Sequence, residues 1–374
     1  MKTTWRTRLI ILGIPGLLLA VSASSAAVSA STAKIAAPGK ATASGNVSRT
    51  FSKAEQQATA RYWAKDRRAS AKPVGMSVTT SQAAHAQDAR PAGTPTVVQP
   101  AAPGAAGKAT PVDEQIGGTT SPALSSYAYP APFTRYALFP SSQYKVYPNR
   151  AHGKLFFSQQ TPTGTGNFVC SGTVVTSAGH WLVETAGHCV ANASTHTFSF
   201  NVQFVPAYQN GAAPYGSWSA FRLWTKTAWI NSGNLREDRG FILLNRNSAG
   251  REIQDVTGSE GIAFNQGYLQ HVVDFGYPAA SPFNGQTEQL CLASFEEQDP
   301  FNTSAGSVPW GIGCDMTGGS SGGGWIIRYG PSGGYVNGHN DYMYTVPSRP
   351  LEMFSPYFDN SELSLYNCAT DNVC

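Results

Sequence analysis

A serine flanked by glycines is the first residue of this chain whose setting suggests chemistry. Ser321 lies in the run Gly319-Ser320-Ser321-Gly322-Gly323. Glycine-rich runs are often flexible linkers. Here, however, Cys314 precedes the run and the apolar residues 325–327 follow it, and a linker needs neither. Glycines let a backbone turn sharply and point its amides at one hydroxyl. We therefore expect a nucleophile loop, with a histidine and a carboxylate elsewhere in the chain.

His188 is the histidine with the most distinctive setting among seven. It lies in Thr185-Ala186-Gly187-His188-Cys189, directly after the apolar stretch 181–184. A serine hydroxyl is a poor nucleophile unless a base removes its proton. A disulfide at Cys189 would fix the backbone of that base, and Cys170 is the expected partner because two adjacent strands would carry the pair. A lone histidine is more often structural, so the assignment depends on the other two groups.

Asp238 is the candidate carboxylate, because it precedes the strongly apolar run 240–244. An aspartate at such a place is most often a turn residue. In a catalytic triad it would accept the imidazole N–H and stabilise the imidazolium ion. Glu237 is the competing candidate, and we prefer Asp238 because it lies closer to the apolar run.

Short apolar stretches fill the second half of the chain, separated by Gly, Pro, Asn and Ser. This pattern predicts an antiparallel β-sandwich or barrel. The predicted strands are 153–157, 168–175, 181–184, 198–205, 220–224, 241–244, 272–275, 290–293, 325–329 and 335–337. Short helices are possible at 53–70, 350–354 and 361–366.

The N-terminus predicts a signal peptide over residues 1–30. Lys2, Arg6 and Arg8 precede an apolar core at 9–21, and small residues follow it, as in secretory signals. A membrane anchor is the alternative, but this core is shorter than the ~20 residues of a membrane span. We therefore expect a secreted, extracellular protein. Six cysteines, all after residue 169, are consistent with disulfides in an exported chain.

Three further segments follow. Residues 31–111 are rich in Ala, Thr, Ser, Pro and Gly, a composition that predicts disorder because too little apolar surface can be buried. We expect this segment to be a pro-segment removed on maturation, with a simple spacer as the alternative. Residues 112–149 interleave aromatic residues with prolines and predict an extended arm. The folded domain is expected over 150–374.

The overall composition excludes some classes of function. The 374 residues are 41% hydrophobic and 13% charged, with a net charge of +4. This charge gives no argument for binding nucleic acid or, once the signal is removed, a membrane surface. No group of cysteines and histidines has the spacing of a zinc site, so no metal is expected.

The three motifs, in the order His188, Asp238 and Ser321, resemble those of chymotrypsin-fold serine proteases over roughly residues 150–345. Thr317-Gly318-Gly319 before the serine is most similar to the bacterial glutamyl-endopeptidase (V8-like) branch. The resemblance implies an all-β fold of two six-stranded antiparallel barrels with the active site between them. It also implies a monomeric serine endopeptidase that acts on proteins or peptides and needs no cofactor. The backbone N–H groups of Gly319 and Ser321 would form the oxyanion hole.

The resemblance also implies two more disulfides and a substrate pocket. The disulfides would be Cys291–Cys314 and Cys368–Cys374. The pocket would be lined by Asp315, Met316, Thr317, His339 and Asn340. Asp315 or Asp341 would favour basic substrate side chains, whereas a histidine would favour acidic ones, so the side-chain preference stays open.

Ser320 is a departure from the animal branch of that family, which has an aspartate there to receive the new amino terminus after zymogen cleavage. Activation by that salt bridge is therefore not expected. A pro-segment would act differently, for example by assisting folding or by covering the cleft. Two alternatives to a protease remain, a catalytically silent binding protein on the same fold and an esterase.

Overall fold

The computed structural model describes Met1 and residues 45–63, 65–78, 93–105, 111–115, 130–138 and 140–374. The expected signal peptide, apart from Met1, lies outside the described residues. Within the described part of the chain, no helix combines the length and apolar character needed to cross a membrane.

The described residues form mainly short strands. These are β1 Asn46–Thr50, β2 Lys72–Pro73, β3 Met76–Val78, β4 Thr96–Val98, β5 Val112–Asp113, β6 Phe133–Tyr136, β7 His152–Thr161, β8 Gly164–Val174, β9 Leu182–Thr185, β10 Ala191–Asn192, β11 Thr197–Phe198, β12 Phe200–Pro206, β13 Trp218–Lys226, β14 Gly240–Leu244, β15 Gly261–Phe264, β16 His271–Gly276, β17 Gln289–Gln298, β18 Trp310–Gly313, β19 Gly324–Ile327, β20 Tyr335–His339, β21 Tyr342–Tyr344 and β22 Glu352–Ser355. The α-helices are α1 Lys53–Tyr62, α2 Lys65–Ala69, α3 Gly187–Val190, α4 Thr227–Ser232, α5 Ile253–Thr257 and α6 Asn360–Asp371. Short 3₁₀ helices cover Ser141–Lys145, Asn149–Ala151 and Leu235–Glu237.

Six strands close into an antiparallel barrel in the order β13-β12-β7-β8-β9-β14, with β14 pairing back onto β13. Every residue of strand β14 is buried, and this burial explains why the strand is apolar throughout. Ile242 and Leu244 pack in the barrel core. Phe241 and Leu243, on the opposite face, pack in a second cluster that includes residues of α6. Alternate side chains point to opposite faces of a strand, so a strand buried on both faces is apolar throughout.

A second sheet follows the barrel in the chain. Its strands from the expected folded domain, 150–374, have the order β21-β22-β18-β17-β16-β19-β20-β15. Its core is built around Trp310 and Trp325, whose rings meet edge to face at 4.9 Å. Asp359 caps the N-terminus of helix α6, and its carboxylate accepts hydrogen bonds from the backbone N–H groups of Ser361 and Glu362. The predicted all-β, two-barrel fold is confirmed.

One predicted helix is wrong. Residues 350–354 were expected to be helical, but Glu352–Ser355 forms β22, which pairs with both β18 and β21. Periodicity over five residues cannot separate a helix from a buried strand. The other two helical stretches are confirmed, as α1 with α2 and as α6.

Outside the possible helix at 53–70, the prediction of disorder for 31–111 is wrong where the structure describes strands in this segment. Strand β1 adds to β13, β2 to β8, β3 to β21, and β4 to β15. Val47 and Phe51 are buried in the barrel core. A segment that cannot form a core of its own can still become ordered by pairing with exposed strand edges, whose backbone N–H and C=O groups are otherwise unpaired. Residues 31–44, 64, 79–92 and 106–110 of this segment lie outside the described part.

Helix α1 belongs to the same segment and has a complete N-terminal cap. The Ser52 hydroxyl accepts from the Glu55 backbone N–H, and the Glu55 carboxylate accepts from the Ser52 N–H. This capping box satisfies two amides that the first turn leaves without partners. Just after the helix, Trp63 is buried against Phe156 with ring centroids 5.6 Å apart. In the predicted arm, β5 pairs with β4 and β6 pairs with β17.

Candidate active site

His188 and Asp238 are in direct contact. His188 lies in α3, immediately after β9, and its Nδ1 is 3.0 Å from Asp238 Oδ2. The backbone N–H of His188 donates to the other carboxylate oxygen at 2.6 Å. A Cβ added to Gly187 would lie 2.7 Å from Asp238 Oδ1, so a glycine is needed for the carboxylate to approach this closely. The sequence motif therefore positions both groups at once.

The backbone at Asp238 is held in place by the next residue, the buried Arg239. Arg239 is fully buried and donates to Asp359 at 2.6 Å and to the backbone carbonyls of Arg236 and Tyr357. These bonds tie the turn before β14 to the start of α6. The competing carboxylate, Glu237, instead accepts a hydrogen bond from the Ser361 hydroxyl at 2.7 Å.

A neutral pair lies beneath Asp238. His339 Nε2 is 3.1 Å from the Asp238 carbonyl, and its Nδ1 is 2.7 Å from Glu184 Oε1. Burial lowers the pKa of His339 to about 4 and raises the pKa of Glu184 well above its usual range. A carbonyl can only accept, so the neutral imidazole donates from Nε2. Its Nδ1 then accepts the proton of the neutral Glu184 carboxyl.

Asp341 is a second carboxylate beside the imidazole. Its Oδ1 is 3.4 Å from His188 Nδ1, and the residue is buried. Burial raises the pKa of Asp341 well above its usual range, and the Asp238 charge adds to this. Burial alone would lower the pKa of His188, but the facing Asp238 and Asp341 outweigh it and raise this pKa to about 10. Potential metal-ligating atoms of His188, Asp238 and Asp341 lie within 4.8 Å of one another. However, His188 Nδ1 and Asp238 are already hydrogen-bonded to each other.

The loop around Ser321 is held mainly by backbone contacts. The Ser321 carbonyl accepts from the Ser171 N–H at 2.7 Å, and the Gly322 N–H donates to the Asn340 carbonyl at 2.7 Å. Gly322 has a φ of +76°, and a Cβ there would lie 2.0 Å from Thr185 Oγ1. The turn can therefore form only with glycine at this position, as expected for a rigid nucleophile loop.

Ser320 has a local role. Its hydroxyl donates to the Thr317 carbonyl at 2.9 Å and the side chain is buried. It carries no charge that could receive an amino terminus.

A backbone carbonyl from the N-terminal segment lies directly against the loop. The Val74 oxygen accepts from the Gly319 N–H at 2.5 Å and from the Ser321 hydroxyl at 3.4 Å. Gly319, with a φ of +100°, thus directs its amide to the carbonyl that faces the serine. His188 Nε2 is buried and has no hydrogen-bond partner among the described residues.

A cavity of about 280 Å³ opens beside Ser321. Met316 and Thr317 line it, together with Pro73, Gly75, Ser77, Ala280, Gly318, Ser320, Ser321, Asp341, Tyr342, Met343 and Met353. Three methionines therefore supply most of the large side chains of its wall, and Asp341 is its one charged residue.

Three residues predicted to line the pocket are absent from the cavity wall, and we correct them. Asp315 forms a salt bridge with Arg135 of β6 at 2.8 Å. His339 is fully buried between Glu184 and Asp238. The Asn340 side chain is bound to Asp274 at 2.7 Å. Counting from a motif located these residues along the chain but did not give the direction of their side chains.

The three predicted disulfides are present: Cys170–Cys189, Cys291–Cys314 and Cys368–Cys374. The first links β8 to α3 and therefore anchors the helix that carries His188. The second links β17 to the strand end that leads into the nucleophile loop.

Sequence reasoning missed several groups that bear on the site. Asp341 contacts His188, and Glu184 is hydrogen-bonded to His339. Both contacts join positions more than 100 residues apart, so no local sequence pattern indicates them. The insertion of Val74 also has no motif, although Pro73 and Gly75 beside it are residues typical of irregular backbone.

Comparison with known proteins gives close relatives among solved structures. The protease Anisep from Arthrobacter nicotinovorans is 39% identical, with a TM-score of 0.56, and the match covers 64% of this chain and 100% of that one. The thermostable serine protease AL20 from an extremophilic microorganism is 41% identical, with a TM-score of 0.52, covering 59% and 97%. A Glu endopeptidase is 17% identical, with a TM-score of 0.49, covering 63% and 96%, too distant to decide the branch. No family model and no curated protein matches the chain.

The two proteases above 35% identity, of which AL20 is described as a serine protease, are matched over nearly their whole length. Together with the barrel and the contact of His188 with Asp238, this establishes that the chain belongs to the chymotrypsin-fold serine proteases.

Proposed function

We propose that this protein is a secreted serine endopeptidase made as a precursor, with Ser321 as nucleophile, His188 as general base and Asp238 as the carboxylate that orients it. The contact of Gly319 and Ser321 with the Val74 carbonyl carries this proposal. It supports a site in which one backbone amide and one hydroxyl meet a peptide carbonyl, as acyl transfer requires.

The proposed reaction is acyl transfer by these three residues. His188 Nε2 takes the proton of the Ser321 hydroxyl while the oxygen attacks the scissile carbonyl carbon. The negative charge that develops on the carbonyl oxygen is bound by the N–H groups of Gly319 and Ser321. The imidazolium then gives its proton to the leaving amine, and the C–N bond breaks to leave an acyl-enzyme. Water, deprotonated by His188, attacks the ester, and Ser321 recovers its proton.

Asp238 acts through His188. By accepting from Nδ1 at 3.0 Å, it keeps the proton on that nitrogen and leaves Nε2 free to act as the base. Asp238 and Asp341 both favour the charged form of His188, so they stabilise the imidazolium that forms when the base takes the Ser321 proton.

The preferred substrate residue before the scissile bond is apolar. Met316, Met343 and Met353 line the cavity beside Ser321, and none of its lining residues is basic. An acidic side chain would find no counter-charge there. A basic one would find only Asp341, which faces the imidazole. Methionine side chains adapt in shape, so several apolar residues, such as Leu, Met and Phe, should be accepted.

A peptide substrate fits this cleft better than a simple ester does. The cleft already holds an extended peptide, with strand pairing to β8 and to β21. Strand edges bind main-chain groups, which an esterase has no need of. A silent binding protein is disfavoured by the presence of all three triad residue types. The three disulfides support an oxidising, extracellular location.

A serine-directed phosphonate probe tests the proposed function. Mature enzyme, with the N-terminal segment removed, should be labelled once per chain, and Ser321→Ala should not be labelled. Ser320→Ala is the matched control, because it removes a neighbouring hydroxyl and should leave labelling intact. Equal labelling of wild type and Ser321→Ala, or none of the wild type, would contradict the assignment of the nucleophile.

Cleavage of a mixed peptide library tests the substrate class. We expect cuts after Leu, Met or Phe to exceed cuts after Glu, Lys or Arg by about tenfold or more, as expected for ~1–3 kcal/mol of pocket discrimination. Met343→Ala should reduce this preference. A strong preference for Glu would contradict the apolar pocket and favour the glutamyl-endopeptidase branch.

A further inference from the structure

The N-terminal segment crosses the candidate active site as an extended strand. Lys72–Pro73 pairs with Phe168 and Val169 of β8, and Met76–Val78 pairs with Tyr342–Tyr344 of β21. Between the two pairings, the Val74 N–H donates to the Val169 carbonyl at 3.1 Å and its carbonyl faces Gly319. The segment therefore spans the cleft and has its central carbonyl at the nucleophile loop.

Both pairings are parallel, and this fixes the direction of the segment. The chain before Val74 lies along β8, and the chain after it leaves along β21. If the segment ran the other way, both pairings would be antiparallel and the two halves would exchange places.

The direction matters because a leaving amine must receive a proton from His188. The helix that carries His188 is bound to β8 by the Cys170–Cys189 disulfide, so a productive leaving group exits on the β8 side. Here the nitrogen that follows the Val74 carbonyl belongs to Gly75, on the β21 side. His188 Nε2 has no partner among the described residues, so no such nitrogen is in position.

We infer that residues 72–78 inhibit the proposed protease as a strand bound in the non-productive direction, so that the carbonyl occupies the oxyanion position while the peptide bond resists cleavage. The inference rests on the proposed function and describes how that same site is regulated. The tether raises the effective concentration of the strand to roughly millimolar, so a weak interaction is sufficient.

Gly75 is the residue on which this arrangement most depends. A Cβ at this position would lie 2.7 Å from Gly318 Cα, and backbone cannot yield as a flexible side chain can. Lys72, by contrast, is exposed and pairs through its backbone. These two residues give a matched pair of variants within one strand.

The first test measures phosphonate labelling of uncleaved precursor. Gly75→Ala should be labelled faster than wild type by about tenfold or more, because the strand leaves the site for a larger fraction of the time. Lys72→Ala should be labelled at the wild-type rate. If Gly75→Ala precursor is as unreactive as wild type while mature enzyme is labelled, the inhibitory strand is contradicted and the protease remains.

The second test measures direction in the Ser321→Ala precursor, which cannot cleave itself. The pair Ser77→Cys with Met343→Cys joins register partners and should be linked by a short thiol-reactive crosslinker. The pair Lys72→Cys with Met343→Cys should not be linked. The opposite result would show a strand bound in the productive direction and would overturn the inference.

Discussion

The two halves of the candidate active site are held in different ways. The base side, which we define as Glu184, His188, Asp238, Arg239 and His339, is a set of buried polar side chains that position one another. The nucleophile loop, Gly319 to Gly323, is held mainly by backbone hydrogen bonds and by the absence of side chains. The two halves therefore depend on different features of the sequence.

This difference predicts how each half fails. A side-chain network that loses one member keeps its other hydrogen bonds, and the cost is that of the buried group left without a partner, about 1–3 kcal/mol. A backbone turn packed against other backbone has no such freedom, because an added Cβ must displace a main-chain atom. The base side should show graded effects and the loop should show nearly all-or-none effects.

The largest effect is expected from Gly323→Ala in the loop. Its Cβ would lie 1.9 Å from the Phe275 carbonyl oxygen. We expect a loss of more than ~3 kcal/mol of unfolding free energy, beyond the usual cost of overpacking, together with loss of phosphonate labelling. Chemical denaturation of the precursor measures the first quantity. The control is Gly330→Ala, where a Cβ would meet nothing within 4 Å. A stable, labelled Gly323→Ala protein would contradict the backbone-packing argument.

An intermediate effect is expected at Glu184 on the base side. Glu184→Leu leaves His339 Nδ1 buried without a donor, which should cost about 1–3 kcal/mol of unfolding free energy. Glu184→Gln keeps a donor of similar size and should cost less than ~1 kcal/mol. Denaturation of both variants distinguishes the two. If they cost the same, the carboxyl of Glu184 is not the donor to His339.

The smallest effect is expected from Asp341→Asn, measured as a shift in pH dependence. Asp341 helps to raise the pKa of His188, so replacing its carboxyl group by an amide should lower that pKa. The neutral base then becomes available at lower pH. The acid limb of kcat/KM for mature enzyme should therefore move down by about one pH unit. Asp315→Asn, whose carboxylate is paired with Arg135, is the control and should not shift the profile. An upward shift for Asp341→Asn would show that Asp341 does not favour the imidazolium.

Much of the site could be predicted because catalytic groups of this kind occur in short local motifs. Gly187-His188 and Gly319 to Gly323 combine a reactive side chain with the glycines that its backbone requires, so both could be recognised in isolation. The pocket could not be predicted in this way. His339 and Asp315 occupy the predicted chain positions, but their side chains turn to Glu184 and Arg135, partners that come from distant parts of the chain.

The N-terminal segment shows the limit of composition as a guide. Its composition, rich in Ala, Thr, Ser, Pro and Gly, predicts that it has no core of its own. Its order in the described parts depends on strand edges of the body, as with β1 on β13, and composition carries no information about such edges.

The sequence alone indicated the β-rich class and the order of the candidate groups His188, Asp238 and Ser321, and the resemblance it carries implied the cysteine pairs. These features depend on residue type, local spacing and the resemblance they reveal. The tertiary structure alone decided which side chains line the cavity, which groups face His188 from distant strands, and which way residues 72–78 cross the cleft. Those features depend on contacts between residues far apart in the chain, and the direction of a strand is set by the edges it pairs with.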